Sequence, residues 1–387
     1  MSAVAIKGWC PGALRPMRSG DGLVVRVRPH GGRIDAQQAA GLAALAKRYG
    51  NGLIDLTARA NLQIRGVSDE GYGSLIEELS RLRLIDPDPE SETRRNILVT
   101  PFWDSGDETW SLATELEQEL ALGSLSLPAK FGFAIDCAAT CVLAGASADI
   151  RFERDIAGGL LVRADGLQTG RPVTRAEAVK VALALADWFV DSGGARDGRG
   201  RMAAHIAAGA TLPEALHGHA RPARVLEVPQ PGLSAYGAMV GVAFGQLTCD
   251  LLGDLAGHAQ GLRLTPWRMI LAEGLREMPE NKSLITNPDN PMLRVVACSG
   301  APACRDAHAD TRTLAAALAP HLPADARLHV SGCVKGCAQS APAAITLVAT
   351  SSGFDLVRGG STRDIPVLRG LSCAGMVANP SALVGGH

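Results

Sequence analysis

The feature that most constrains this chain is a set of four cysteines towards its end. Val295-Val296-Ala297-Cys298-Ser299-Gly300-Ala301-Pro302-Ala303-Cys304 gives Cys-x5-Cys, and Ser331-Gly332-Cys333-Val334-Lys335-Gly336-Cys337 gives Cys-x3-Cys. Each pair follows a short apolar stretch and sits in a glycine-rich turn. Four thiolates brought together this way can hold a 4Fe–4S cluster, because soft sulfur ligands suit iron–sulfur sites and glycines let backbone amides approach the sulfides. Structural zinc is the competing reading, which would make the chain a zinc-stapled binding module without redox activity. Zinc knuckles favour Cys-x2-4-Cys, for which a five-residue spacer is long. Cys137 and Cys141 repeat the Cys-x3-Cys spacing with no second pair upstream, and Cys10, Cys249 and Cys373 are isolated, so these five read as buried thiols.

The chain has 387 residues, 47% hydrophobic and 20% charged, which fits two or three folded cores or one core built from duplicated modules. A net charge of −1 excludes a nucleic-acid binder that relies on bulk electrostatics. The first residues lack a basic stretch followed by an apolar run, and no segment is apolar for long enough to span a bilayer, so a soluble cytoplasmic protein is expected, with reduced thiols and no disulfide framework. Lysine occurs only at Lys7, Lys47, Lys130, Lys180, Lys282 and Lys335, and the remaining positive charge is arginine. Its planar fork grips carboxylates in pairs, which suits a polyacidic ligand.

The pattern along the chain is duplicated. Leu23 to Val27 predicts a strand, Gly31-Gly32 a turn, and Asp35 the start of a helix carrying Leu42, Leu45 and Ala46; a second strand at Leu53 to Leu56 leads through Thr57-Ala58-Arg59 into extended Leu62-Gln63-Ile64-Arg65. The order recurs with a strand from Ala238 to Phe244, a helix opened by Leu247-Thr248 and running to His258, and Leu262-Arg263-Leu264-Thr265-Pro266-Trp267-Arg268. Thr57-x-Arg59 and Thr265-x-x-Arg268 fall at matching places in the two copies. A longer region follows each copy, entered through Asp86-Pro87-Asp88-Pro89-Glu90 and Asn287-Pro288-Asp289-Asn290-Pro291. Gly353 to Arg363 reads as a hairpin.

Paired Cys-x5-Cys and Cys-x3-Cys at the end of a duplicated chain resembles the nitrite/sulfite reductase superfamily. Within it, Gly8-Trp9-Cys10-Pro11-Gly12, Arg15-Pro16-Met17, Gly20 to Arg28, Leu264 to Arg268 and Ala297 to Cys304 look like the precorrin-3B synthase family of aerobic cobalamin biosynthesis. The resemblance implies an α+β fold with a pseudo-twofold axis, divided as 1–85 (first ferredoxin-like half-domain), 86–225 (α/β module without cluster), 226–290 (second half-domain) and 291–387 (cluster-binding α/β module). It places the ligand at the pseudo-twofold interface, beside the cluster. It assigns the cluster to Cys298, Cys304, Cys333 and Cys337, catalytic contacts to Arg26, Arg95 and Lys130, and tetrapyrrole contacts to Arg26 and Arg59, with Gln63, Arg65 and Arg268 extending from the same landmarks. In the reductases the ligand is sirohaem, bridged through the last cysteine, which matches Cys337. Reductases place a second lysine two residues after the first, where this chain has Gly132.

The reaction implied is oxygen-dependent. Precorrin-3A is hydroxylated at a meso carbon and a ring-A acetate closes a lactone, with O2 as oxidant and NADH as ultimate reductant. No Gly-x-Gly-x-x-Gly nucleotide fingerprint opens a helix here, so an electron-donor reductase or ferredoxin is the expected partner. A mononuclear non-haem iron is a possible second centre, with His205, His217, His219 and His258 as candidates that no facial-triad spacing singles out. The alternative within the superfamily is a sirohaem-dependent sulfite or nitrite reductase.

Overall fold

The structure, a computed structural model, describes residues 11–138, 141–224 and 226–384; Gly8, Trp9 and Cys10 lie outside them. Local chemistry sets the helix starts in both copies of the repeat. Asp35 accepts from the Gln38 amide at 2.7 Å while the Gln38 side chain accepts from the Asp35 amide at 3.1 Å, a reciprocal cap that starts the helix Ala36–Tyr49. In the second copy Thr248 Oγ1 accepts from the Leu251 amide at 3.1 Å and starts Cys249–His258. The sequence places that helix start at Leu247-Thr248, and Thr248 is its cap. What the sequence does not show is that Gln246–Thr248 is also a short strand, because its amides and carbonyls pair with Leu53–Leu56 of the first copy.

That pairing has a mirror image. Arg33–Asp35 of the first copy joins the sheet of the second by pairing with Gly261–Leu264. One sheet therefore runs Met17–Arg18, Leu23–Val27, Leu62–Val67, Leu53–Leu56, Gln246–Thr248, and the other Gly232–Ser234, Gly237–Val242, Met269–Glu273, Gly261–Leu264, Arg33–Asp35. The traded strands and the two helices close one apolar core, shared by Leu42, Ile54, Ile64, Val240, Leu252 and Leu262, all fully buried. The fold is α+β, with a half-domain repeated about a pseudo-twofold axis.

The strand register also corrects the alignment of the two copies. Leu56 faces Leu62 and Leu264 faces Ile270, so the two connecting loops have equal length and Thr57 coincides with Thr265. Each threonine hydroxyl accepts an amide two residues on, from Arg59 and from Trp267. The left-handed position in each loop is Ala60 (φ 52°) and Arg268 (φ 59°). Arg268 therefore corresponds to Ala60, and the counterpart of Arg59 is Trp267.

Each remaining region is an α/β module of the same topology. Ile97–Val99, Phe133–Asp136 and Ile150–Arg154 are parallel, and Leu160–Ala164 and Arg171–Pro172 add antiparallel strands over a core containing Phe131, Phe133, Phe152 and Phe189. Val295–Ala297, Leu328–Ser331 and Ala343–Thr350 repeat the parallel order, followed by Gly353–Gly360 and Leu368–Leu371. The hairpin expected within Gly353 to Arg363 instead turns earlier, since Thr350 faces Gly353 and Gly353–Gly360 is a full strand. Among the described residues no helix is long and apolar enough to cross a membrane.

Candidate functional site

The parallel strands Val295–Ala297 and Leu328–Ser331 are neighbours, with Ala297 facing Val330, so the loops that leave their C-terminal ends start side by side. Cys298 and Cys304 lie on the first loop, Cys333 and Cys337 on the second. The loops are bonded to one another: the Gly332 amide donates to Cys298 Sγ at 3.2 Å, the His308 amide donates to the Gly332 carbonyl at 2.9 Å, and Thr311 Oγ1 donates to the Cys298 carbonyl at 2.7 Å. A Cβ on Gly332 would lie 2.7 Å from Cβ of Ala307 and 3.4 Å from Cys298 Sγ, so a side chain there would force the loops apart.

All four cysteines are free. Burial first, then the neighbouring Cys304 and Cys298, push the Cys333 thiol up; burial followed by Cys333, Cys298 and Cys304 does the same at Cys337. The four sulfurs thus lie within electrostatic reach of each other. Among the described residues no group of three or more His, Cys, Asp or Glu side chains could hold a single metal ion. A cubane of four irons and four sulfides sets its thiolates wider apart than one ion does, and four soft sulfurs on two glycine-bearing loops fit that group.

The outward face of the first half-domain's sheet meets these loops. Strand register lines up Arg26, Gln63, Asp55 and Gln246 across four strands. With its amide oxygen turned towards Arg26, Gln63 accepts from Nη2 at 2.9 Å and Nε at 3.1 Å. Asp55 accepts from Gln246 at 3.2 Å and from Arg312 Nη2 at 3.1 Å, and Arg312 directly follows the threonine that holds Cys298. Arg268 reaches the other cysteine loop, donating to the Ala338 carbonyl at 3.3 Å. Burial and the adjacent Arg312 bring the Arg268 guanidinium down to about 10, against the opposing effect of Asp55, so it remains cationic at neutral pH. Arg26, Gln63 and Arg268 therefore gather beside the cysteines, whereas Arg59 Nη2 points to the first α/β module, donating to the Lys130 carbonyl at 3.0 Å and Ser147 Oγ at 3.3 Å. Lys130 itself is exposed.

Two expected contacts are corrected. Arg95 is buried and grips Asp86 with two bonds of 2.7 and 2.8 Å while also donating to the Arg28 carbonyl, so it is an interior ion pair and not a ligand contact. Arg65 is also buried; its fork takes Asp21 at 2.8 and 3.1 Å, and Nη2 donates at 3.2 Å to the carbonyl of Ala303, beside Cys304. It anchors the cysteine loop through Nη2. The four candidate histidines stand apart: His205 packs on Trp188 and Phe189, His217 bonds the Leu212 carbonyl and His258 the Asp254 carbonyl, and His219 has no partner in common with them.

Sequence reasoning passed over Asp55, Gln246, Arg312 and His329. A lone acid in Leu53-Ile54-Asp55-Leu56 and a lone imidazole in Leu328-His329-Val330 were the available signals. His329 is fully buried with neither ring nitrogen hydrogen-bonded among the described residues; burial, then Arg268, hold it at about 4 and hence neutral. At Gly132 a Cβ would stand 2.6 Å from Nδ2 of Asn96 and 2.8 Å from its carbonyl oxygen.

Comparison with known proteins gives the same outline. The family model for the nitrite/sulfite reductase ferredoxin-like half domain matches residues 15–82. A precorrin-3B synthase of Sinorhizobium sp is 28% identical over 412 aligned positions, covering 93% of this chain and 84% of that protein. A ferredoxin–nitrite reductase of Synechococcus elongatus is 27% identical over 423 positions, covering 89% and 81%. Among solved structures, the Mycobacterium tuberculosis NirA protein superposes with a TM-score of 0.60 at 18% identity, over 88% of this chain and 74% of that one, a likeness of fold.

Proposed function

We propose that this chain, which has the nitrite/sulfite reductase fold and resembles precorrin-3B synthase over most of its length, is itself a precorrin-3B synthase: an oxidoreductase that hydroxylates precorrin-3A with O2 and closes the ring-A lactone. The observation that carries this reading is the juxtaposition of the four-thiol loops with the Arg26–Gln63–Asp55–Gln246 face and Arg268. Cys298, Cys304, Cys333 and Cys337 would hold a 4Fe–4S cluster, which when bound supplies one-electron transfer. Arg26, Arg59 and Arg268, with Lys130 on the first α/β module, would pair with the acetate and propionate groups of the macrocycle. Charge-assisted pairs of this kind hold a polyacid in one orientation, so that a single meso carbon meets the oxidant. Gln63 would align the Arg26 fork from the neighbouring strand.

Overall, one oxygen atom of O2 enters the product and the other leaves as water, with two electrons from NADH delivered through a ferredoxin or reductase. The crowding at Gly132 supports the synthase over a sulfite- or nitrite-reducing site. A lysine there would have to displace Asn96, whose amide donates to the Phe131 carbonyl at 2.8 Å and whose carbonyl accepts the Phe133 amide.

The test is to purify the protein without oxygen, measure iron, sulfide and zinc together with the visible spectrum, and then supply precorrin-3A, a reductant and 18O-labelled O2. About four irons and four sulfides without sirohaem bands, followed by one labelled oxygen in the product, is the expected result. Sirohaem bands with reduction of sulfite or nitrite would replace the proposal with the reductase, a reading that the similarity to the Synechococcus protein keeps in play. Zinc without iron would end both.

A further inference from the structure

We propose that Lys335 and Asp306 form a charge pair that sets the reduction potential of a cluster held by the four cysteines, Lys335 drawing the potential up and Asp306 restraining that effect. The proposal rests on the redox role given above to the cysteine site. Lys335 lies between Cys333 and Cys337 on the second loop, and Asp306 lies two residues after Cys304 on the first. Lys335 Nζ donates to Asp306 Oδ2 at 2.6 Å, so the pair joins the two loops side chain to side chain. The ammonium also acts on the sulfurs. Asp306 raises the Lys335 ammonium, first through the hydrogen bond and then, against burial, through its charge, and Cys333 and Cys337 add to the rise. At the sulfurs burial is the larger effect and lifts both thiols, while Lys335 opposes it with its amide and its charge at Cys333 and with its charge at Cys337.

Placement matters more here than strength. The Asp306 side chain is 55% exposed and that of Lys335 21%, and an ion pair this open adds little to stability. Its charges still act on an electron added beside it. Reduction at the cysteine site adds one electron, supplied by a one-electron donor that leaves oxidised by one electron, and makes the site more negative by one charge. A fixed cation favours that added charge and a fixed anion opposes it, which is why iron–sulfur potentials follow the net charge and hydrogen bonds around the sulfurs. Lys335 is flanked by two of the cysteines, while Asp306 meets the ammonium from the more exposed side. Removing either partner therefore uncovers the opposite charge of the other. A pair that only stapled the loops would respond alike to the loss of either side chain, whereas a tuning pair responds with opposite signs.

The experiment is a reductive titration of the iron-loaded full chain with dithionite and redox mediators, followed by electron paramagnetic resonance, with neither tetrapyrrole nor O2 present. Lys335→Gln leaves the Asp306 carboxylate bare and should shift the midpoint potential down, whereas Asp306→Asn leaves the ammonium bare and should shift it up. Each shift should change the reduction equilibrium by about threefold or more, roughly 30 mV at about 59 mV per tenfold for one electron. Lys335→Gln combined with Asp306→Asn should bring the potential back near the wild-type value, and Lys335→Arg should hold it there. Glu115→Gln, which breaks an ion pair of the same 2.6 Å length with Arg175 in the first α/β module, should leave it unchanged. Iron content should equal wild type throughout. Shifts of the same sign from the two single variants, or loss of iron from both, would overturn the proposal by making the pair a staple of the loops. The absence of any shift, a double variant that keeps either shift, or an equal shift from Glu115→Gln would overturn it as well. A wild-type chain that carries no iron fails the functional reading before the titration begins, which separates the two failures.

Discussion

The two half-domains have the same fold and opposite face chemistry. Where the first copy presents Arg26 and Gln63 across neighbouring strands, the second has Met239 and Leu271 in the same register. Those residues pack with Met269 against Phe102, Tyr236 and Trp267. Even the ion pair common to both copies is reversed: Asp55 with Arg65 at 3.7 Å in the first, Arg263 with Glu273 in the second. Arg263 lies 4.1 Å from the Trp103 ring centroid and donates to the Pro101 carbonyl at 2.8 Å. The first α/β module therefore fills the second face with its own loop. Duplication offers two ligand faces, and side chains keep one of them polar while closing the other.

The modules differ in the same sense, which sets the largest predicted effect. Phe133 to Ile150 and Leu328 to Ile345 span equal lengths between paired strands, so Cys137 and Cys141 sit on the twin of the Cys333–Cys337 loop, one residue out of step, and Thr100 takes the place of Cys298. Buried in that module, the Cys137 thiol is driven far above the usual range. Cys333→Ser should abolish iron retention, while Cys137→Ala should leave iron and sulfide at wild-type levels. Equal loss in both would mean the twin loop also binds metal.

Next in size is the reversed ion pair. Glu273 is buried and accepts from both Arg33 and Arg263, so Glu273→Gln leaves cationic groups uncompensated and should cost about 3 kcal/mol in denaturant unfolding. Asp55→Asn should cost about 1–2 kcal/mol, because its partners Arg65 and Arg312 are looser at 3.7 and 3.1 Å. A larger loss from Asp55→Asn would reverse the assignment of the closed half as the structural one.

Acid response should separate the regions again. Burial raises Glu273, but hydrogen bonds and charge from Arg33 and Arg263 outweigh it and leave the group below its ordinary value. A depressed carboxyl stabilises the fold above its unfolded value and loses that contribution as pH falls through the folded one, so the half-domain core should weaken only in acid. Asp136, at the twin of the cysteine site, goes the other way: burial lifts it to about 6 despite amide bonds from Leu143 and Val142. Its contribution is full below its unfolded value and is lost as pH rises through about 6. Asp136→Asn should flatten the fall in melting temperature between acid and neutral pH, and an unchanged profile would remove Asp136 as its source.

Much of this contrast was legible in the residues themselves. The two cysteine pairs, the duplicated order and the alternating Arg26 and Gln63 follow from spacing and strand period, which a sequence records directly. Three things did not follow. Strand trading at Gln246–Thr248 and Arg33–Asp35 depends on partners more than 190 positions away in the chain, and three residues carry too little periodicity to betray a strand. Arg95 and Arg65 look like Arg26 in sequence, yet Asp86 and Asp21 take their forks in the interior. Arg312 becomes part of the polar face only when the second module docks on the first sheet.

The smallest effect on stability is the sharpest test of the comparison. Arg26→Met places on the open face the residue that its twin carries at Met239. Arg26 is partly exposed and its cross-strand partner Gln63 is neutral, so the variant should unfold within about 0.5 kcal/mol of wild type. Binding of the tetrapyrrole should instead lose one charge-assisted pair, about 1.5 kcal/mol or roughly tenfold in KM, with iron content unchanged. If Arg26→Met keeps wild-type KM but melts early, Arg26 is an element of the sheet and the ligand is held by the other cations, Arg268, Arg59 and Lys130; a higher KM at constant stability makes the difference between the two faces a difference in what they bind.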